Sequence, residues 1–351
     1  MTYLINILLS GDYPELAFFE VRGLLESANI SLRLERISKR VLRLDVPPSK
    51  LEDFLDIVKH AVLVKEVIQE LFCGALSNFI KGIKDVLPAG KIRLYVEGRS
   101  FSVRALKIDR KELKWLKTPE IERRIGATIK RYAPNSRVDL NNPQVVVRVW
   151  LLRDRVIVGI LRVKLKRSRF RERIPNKRPF FHPSALTPEN ARLLVNLTGA
   201  MPGYPILDCF CGTGSILIEA ALRGFYGVGI DIKKEMAYGA RTNLDFYKLA
   251  HNADVIVGDA CLLPIRDSAF QGLATDPPYG RLSSTKGKDV LEIYECFLKE
   301  GKRVLKNRAK CAFMHPLKLK IPEEKSVKVG FAIPVHRGLT RVIKVWVKQS
   351  D

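Results

Sequence analysis

The sequence predicts a multidomain protein that joins α+β and α/β architecture, and three observations predict it. Over the first 70 residues, apolar positions switch between a period of two and a period near 3.6 in the order βαββαβ, the ferredoxin-like unit. From residue 205 onward, short apolar strands and amphipathic helices alternate regularly, as in a doubly wound parallel sheet. Between them, residues 91–180 hold 26 Lys and Arg against 8 Asp and Glu, whereas residues 1–90 hold 11 against 12. A chain of 351 residues is long enough for two or three modules, each with its own core.

Taken in order, residues 3–9 read as a strand, 15–27 as a helix, 31–36 and 41–46 as strands, 50–61 as a helix and 62–71 as a strand. A second module follows. Residues 77–86 read as an amphipathic helix and 91–99 as a strand; Thr118, as a cap, with Pro119 in the first turn opens a helix to Tyr132, and strands follow at 144–152 and 156–165. Residues 162–178 form a basic connector in which one Phe interrupts the run KRSRFRER, a composition that suits a tether in contact with phosphate. Beyond it, Thr187 and Pro188 open a helix to Leu197. Strands are expected at 205–210, 226–231, 254–259, 272–276 and 310–314, with helices at 215–223, 234–247 and 290–305. An antiparallel hairpin at 327–334 and 341–347 closes the pattern.

A net charge of +24, concentrated in the middle third, implies a polyanionic partner and points to nucleic acid. The six cysteines, Cys73, Cys209, Cys211, Cys261, Cys296 and Cys311, form no CxxC pair. That spacing argues against a metal site and a disulfide framework, and fits a reducing cytoplasm. The apolar start lacks a basic leader and is too short to span a bilayer, so no membrane association is expected.

The chemistry concentrates at the expected strand ends. Thr275, Asp276, Pro277, Pro278, Tyr279, Gly280 and Arg281 follow the fourth strand of the C-terminal sheet. Two consecutive prolines stiffen the backbone and carry no amide hydrogen, so the loop is an acceptor surface. The Asp276 carboxylate and the Pro277 carbonyl can together accept both hydrogens of an exocyclic amino group while Tyr279 stacks on the ring that bears it. After the first strand, Asp208, Cys209, Phe210, Cys211, Gly212, Thr213, Gly214 and Ser215 open a helix, where glycines let a ligand approach backbone amides. A dinucleotide fingerprint needs a third glycine where Leu217 stands, which disfavours NAD or FAD. Asp231 ends the second strand, and Asp259 with Ala260 ends the third. Four carboxylates at four successive strand ends exceed what turn chemistry requires.

Asp-x-x-x-Gly-x-Gly, the acids ending strands two and three, and Asp-Pro-Pro-Tyr after strand four resemble the class I S-adenosylmethionine-dependent methyltransferases that act on exocyclic amines. Over nearly its whole length the chain resembles the archaeal tRNA guanine-N2 methyltransferases, those of position 10 above all. The resemblance implies a ferredoxin-like N-terminal domain (1–64), a THUMP RNA-binding domain (65–165), a basic linker (166–182) through Arg178, Pro179, Phe180, Phe181, His182, and a Rossmann-like methyltransferase domain (183–351) carrying His336, Arg337, Gly338, Leu339, Thr340 and Arg341.

It further implies that Asp208, Gly212 and Gly214 bracket the methionine end of S-adenosylmethionine, with Cys211 and Thr213 in the same loop. Asp231 and Ile232 would meet its ribose, and Asp259 and Ala260 its adenine. Asp276, Pro277, Pro278 and Tyr279 would form the catalytic loop around a flipped guanine. The expected tRNA contacts are Arg123, Arg124, Lys130 and Arg131 on the 118–132 helix, Arg167, Arg169, Arg171 and Arg178 on the connector, and Arg281 beside the loop. A cytoplasmic monomer with tRNA as its partner is expected. The competing readings are N2-methylation at tRNA position 6 or of ribosomal RNA, N6-adenine methylation by the same loop, and a non-catalytic RNA-binding module.

Overall fold

The computed structural model describes residues 2–82, 87–279, 289–319, 321, 327–336 and 339–349. They form two compact units: Met1–Pro14, Leu32–Leu55 and Val64–Leu165, and then Glu15–Ser31, Asp56–Leu63 and Lys166–Asp351.

One eight-stranded sheet carries the first unit. Its N-terminal strands β1 (Tyr3–Leu9), β2 (Leu34–Ser38), β3 (Val41–Val46) and β4 (Val64–Ala75) lie in the order β2-β3-β1-β4, the ferredoxin-like arrangement. The helices between them are α1 (Pro14–Ser27) and α2 (Leu51–Val58). Strands β5 (Ser100–Lys107), β6 (Arg137–Val138), β7 (Val145–Leu151) and β8 (Arg155–Lys164) extend the same sheet, because β4 pairs with β1 on one side and β8 on the other. Helices α3 (Leu76–Lys81), α4 (Ala89–Val96) and α5 (Thr118–Tyr132) belong to this half, whose core includes Phe79, Ile92, Val96, Phe101, Ile125, Ile129 and Val147.

Helix α4 corrects the strand expected at 91–99. Ile92, Leu94 and Val96 alternate as strand residues would, yet Ile92 and Val96 are buried while Leu94 is 80% exposed. That is the four-residue spacing of one helix face. Thr118 does not cap α5 either; Lys117 occupies the N-cap position and makes no side-chain cap bond. Of the helix expected at 77–86, residues 83–86 lie outside the described residues.

A seven-stranded sheet organises the second unit. It comprises β9 (Pro205–Asp208), β10 (Tyr226–Asp231), β11 (Ala253–Val257), β12 (Phe270–Thr275), β13 (Leu305–Pro316), β14 (Val327–His336) and β15 (Leu339–Val347), in the order β11-β10-β9-β12-β13-β15-β14. The first five are parallel, and β15 runs antiparallel to β13 and β14. Helices α6 (Pro188–Thr198), α7 (Ser215–Ala221), α8 (Lys234–Phe246) and α9 (Val290–Val304) complete it. The Thr187 side chain caps α6 by accepting from the Asn190 amide, and Gly199 ends it in the left-handed conformation. Strand order reverses between β9 and β12, the place where an open α/β sheet opens a crevice at its carboxyl edge.

Within this second unit α1 docks closely on α6: a Cβ at Gly23 would lie 2.2 Å from the Asn196 carbonyl oxygen. The junction is polar. Glu20, fully buried, accepts from the amides of Val62 and Leu63 at 2.7 and 2.8 Å and from Asn196 Nδ2 at 2.7 Å. Arg223 donates to Asn196 Oδ1 and Ser27 Oγ, while Arg192 and Arg173 both pair with buried Glu219. Every buried charge here meets an opposite charge or an amide, which offsets its desolvation.

The connector departs from the expected tether. Short 3-10 turns cover Arg167–Arg173 and Pro175–Lys177, and Phe170 is buried. The basic connector is folded because its arginines find carbonyls and carboxylates inside the second unit.

Candidate active site

The ends of β9 and β12 are tied together. Thr275 Oγ1 donates to Asp208 Oδ1 at 2.7 Å, and the two strands pair in parallel through Leu207 and Leu273. The loops that follow, one rich in glycine and one in proline, therefore leave the sheet side by side. Asp208 is 1% exposed and also accepts from the Phe210 amide. Burial pushes its carboxyl up to about 7. Asp208, expected at the methionine end of a cofactor, is engaged by the protein as a brace between strands.

The glycine loop is held by its neighbours. Cys211 N donates to the Ile230 carbonyl, and Asp231 accepts from the Gly212 amide through Oδ2 and the Lys233 amide through Oδ1, both at 2.9 Å. Gly214 has φ +79°, and a Cβ there would press on Ala240 of α8. Leu217, which breaks the dinucleotide pattern, is accommodated by glycine on the facing strand: a Cβ at Gly229 would lie 2.5 Å from Leu217 Cδ1. Asp231, Ile232 and Asp259 are partly exposed at the carboxyl edge, and Asp259 accepts from the Cys261 amide at 2.9 Å. Ala260 is buried beside them. Burial raises the thiols of Cys209 and Cys211 above their ordinary range, so neither is a thiolate nucleophile.

Asn243 escaped the sequence reading. It is fully buried, accepts from Phe180 N at 3.0 Å, and donates to the carbonyls of Phe180 and Thr213 at 3.0 and 2.9 Å. One amide thus clamps the connector onto the glycine loop. The only sequence signal was Gly239 inside a helix, where the Phe180 ring leaves no room for a Cβ.

In the proline loop, Pro277 is buried, and Tyr279 donates its hydroxyl to Asp276 Oδ1. Arg341 of β15 lies across both: its Nη1 is 3.8 Å from Asp276 Oδ2, and its guanidinium carbon is 5.1 Å from the Tyr279 ring centroid. Below them Tyr294 of α9 is fully buried and donates to the Met314 carbonyl. Burial raises the Asp276 carboxyl above the ordinary range, and Arg341 opposes that rise.

Against known proteins, residues 175–341 match the RMKL-like methyltransferase domain and residues 91–161 the THUMP domain. The chain is 34% identical to the tRNA (guanine(10)-N2)-dimethyltransferase of Methanothermobacter thermautotrophicus, over 97% of this chain and 98% of that one. The chain belongs to this family. A second member, from Methanocaldococcus jannaschii, is 30% identical over 98% of this chain and all of its own. The crystal structure of TrmN from Thermus thermophilus matches the fold with a TM-score of 0.56 at 20% identity, covering 98% of this chain and 99% of that one.

On this family member the expected RNA contacts divide. Arg123, Arg131, Arg167 and Arg171 are exposed. Arg124 is exposed too but donates to the Ile80 carbonyl, and Lys130 donates to those of Pro134 and Ser136. Arg169 and Arg178 are corrections: Arg169 donates to the carbonyls of Lys59 and Ala61, and Arg178, 5% exposed, reaches Ser215 Oγ at 2.6 Å and the Arg173 carbonyl. Both are spent on the fold. Arg281 lies outside the described residues, as do Arg337 and Gly338.

The cysteines bring a further correction. Cys261 and Cys296 are paired as a disulfide, their Cα atoms 4.9 Å apart, which joins the segment after Asp259 to α9. Spacing along the chain could not reveal it, because packing of that segment on α9 brings the two together.

Proposed function

We propose that this chain transfers methyl groups from S-adenosylmethionine to the exocyclic N2 of guanosine 10 in tRNA, once and then a second time. The observation that carries the reading is the Thr275–Asp208 bond, which sets the glycine loop and the Asp276 loop at neighbouring strand ends. Membership in a family whose relatives are tRNA (guanine(10)-N2)-dimethyltransferases supports the substrate.

The residues present fit the donor. Thr213 Oγ1 is buried without a hydrogen-bond partner among the described residues, and a Cβ at neighbouring Gly212 would meet nothing nearer than the Phe210 carbonyl oxygen at 4.0 Å, so the loop there is open to a ligand. Thr213, Gly212 and Gly214 would hold the methionine end, Asp231 and Ile232 the ribose, and Asp259 and Ala260 the adenine. When bound, S-adenosylmethionine supplies a methyl group on a sulfonium, which needs no covalent nucleophile from the protein.

Asp276 and the Pro277 carbonyl would accept the two N2 hydrogens, drawing the nitrogen lone pair out of conjugation with the ring and towards the methyl carbon. Asp276 or solvent would take the proton that the nitrogen gives up on methylation. The base must leave its stack to reach the loop, and Tyr279 offers it a surface. Residues 1–165 would engage the tRNA through the exposed arginines of the THUMP half. Among the described residues, no helix is long and apolar enough to cross a membrane.

The test is nucleoside mass spectrometry of tRNA transcript incubated with the protein and methyl-labelled donor, with duplex DNA alongside. N2-methyl- and N2,N2-dimethylguanosine mapped to position 10 is the expected outcome; methyladenosine, or label at position 6, would displace it. Asp276→Ala should cost about 10³-fold in turnover while donor affinity by calorimetry stays within a few-fold.

A further inference from the structure

Arg341 closes the 336–341 segment that the resemblance singled out, but no role was assigned to it there. It reaches the site from β15, which runs antiparallel to β13 and puts Arg341 opposite Pro316 at the carboxyl edge of the sheet. Its side chain is 14% exposed, and its Nε is buried with no hydrogen-bond partner among the described residues. A guanidinium this sheltered is costly unless it is matched by charge. What it meets is the Asp276 carboxylate and the face of the Tyr279 ring, the two groups to which the proposed chemistry assigns the amine and the base.

We propose that Arg341 is a positioning residue of the methyl-transfer site, one that keeps Asp276 ionised and turned to accept from the amine while it braces Tyr279. This rests on the reading of the site given above. The two carboxylate oxygens of Asp276 are divided between partners: Oδ1 takes the Tyr279 hydroxyl and Oδ2 faces Arg341. When a base displaces the hydroxyl, Oδ1 becomes available and Oδ2 remains oriented. An ionised carboxylate is required there, because a protonated one would turn a donor towards an amine whose hydrogens need acceptors.

Among the described residues, the Tyr279 hydroxyl is the other group that favours the Asp276 charge, by donating to Oδ1; the rest do not. Tyr279 on its own loop and Tyr294 on α9 are held neutral, both pushed well above the ordinary tyrosine range by burial. Asp208 at the end of β9 is a second carboxyl, unfavourable to another negative charge. His315 of β13 packs against the Tyr294 ring, and burial lowers it so that it stays neutral at pH 7. Among the described residues, Arg341 supplies the positive charge at this carboxylate. Its removal leaves the Tyr279 hydroxyl alone to oppose burial, so Asp276 should hold its proton to higher pH.

Two measurements test this on the full-length protein. The first follows the carboxyl itself, by NMR titration of 13C-labelled aspartate, with Asp276→Asn assigning the signal. In Arg341→Gln the Asp276 titration should move up by about one unit or more, and Arg341→Lys should bring most of it back. This readout needs no substrate, so it stands or falls separately from the assignment of tRNA as the substrate. The second is the pH dependence of turnover at saturating tRNA and donor. The acidic limb should shift upward by the same amount in Arg341→Gln, with donor affinity by calorimetry within twofold of the parent. An Asp276 titration that does not move, or a loss of turnover equal at every pH, would overturn the role.

Discussion

Tyr279 controls two things that a target base would need at the same moment, an aromatic face to stack on and the Oδ1 oxygen of Asp276. Its hydroxyl occupies Oδ1, so an amine can reach that oxygen only after the ring swings away or the hydroxyl turns aside. The hydroxyl is thus a stand-in for the amine and not a reactant. Tyr279→Phe should keep turnover within about threefold of the parent, whereas Tyr279→Ala should lose about tenfold to hundredfold through lost stacking. Steady-state rates on tRNA transcript read the difference; equal damage in both variants would give the hydroxyl a chemical part. The proline loop itself was legible in the sequence because its carboxylate, its acceptor carbonyls and its ring are contiguous. Arg341 was not, because only the pairing of β15 with β13 carries it to Asp276.

At the level of elements, the β9 to α7 turn shows how one unusual residue is balanced by another. Leu217 stands where a dinucleotide site has glycine, and Gly229 on β10 gives up its side chain to make room. Gly229→Ala should push Leu217 and Cys211 aside, costing about 1–3 kcal/mol of stability and weakening donor binding. Thermal unfolding and calorimetry measure the two effects. Leu217→Ala in the same chain should restore part of the stability, since the clash would have gone. Leu217 argued soundly against a dinucleotide, but spacing alone offered no means of seeing that the space is recovered across the sheet. Helix α4 makes the complementary point, since Ile92, Leu94 and Val96 satisfy both periods and only burial distinguishes them.

Across the second unit as a whole, the polar junction of α1 with α6 and α7 carries a pH dependence. His60 is 3.1 Å from Arg192, and burial together with Arg223, Arg192 and Arg169 lowers its imidazole to about 4. A histidine lowered in the folded state contributes stability that is present above the unfolded value near 6.5 and lost as pH falls towards 4. Glu20 and Asp208, whose carboxyls burial raises, act in the opposite sense over an overlapping range. The quantity to measure is therefore the difference in unfolding free energy between the parent and His60→Gln. That difference should change by about 2 kcal/mol between pH 7 and pH 4, allowing for the partial exposure of the ring, with the parent losing more. A constant difference across the range would show that His60 is not charged by acid unfolding. Taken by itself, the sequence determined the fold class, the alternation that builds the C-terminal sheet, the basic middle third, and the acids and glycines at the strand ends, because each of these is written in local spacing or in composition. Only the tertiary structure decided which arginines face solvent, that Cys261 meets Cys296, that Asn243 clamps the glycine loop, and that Arg341 stands over Asp276. Those are contacts between residues far apart in the chain, and they are fixed by packing and by the matching of buried charge, neither of which has a period to read.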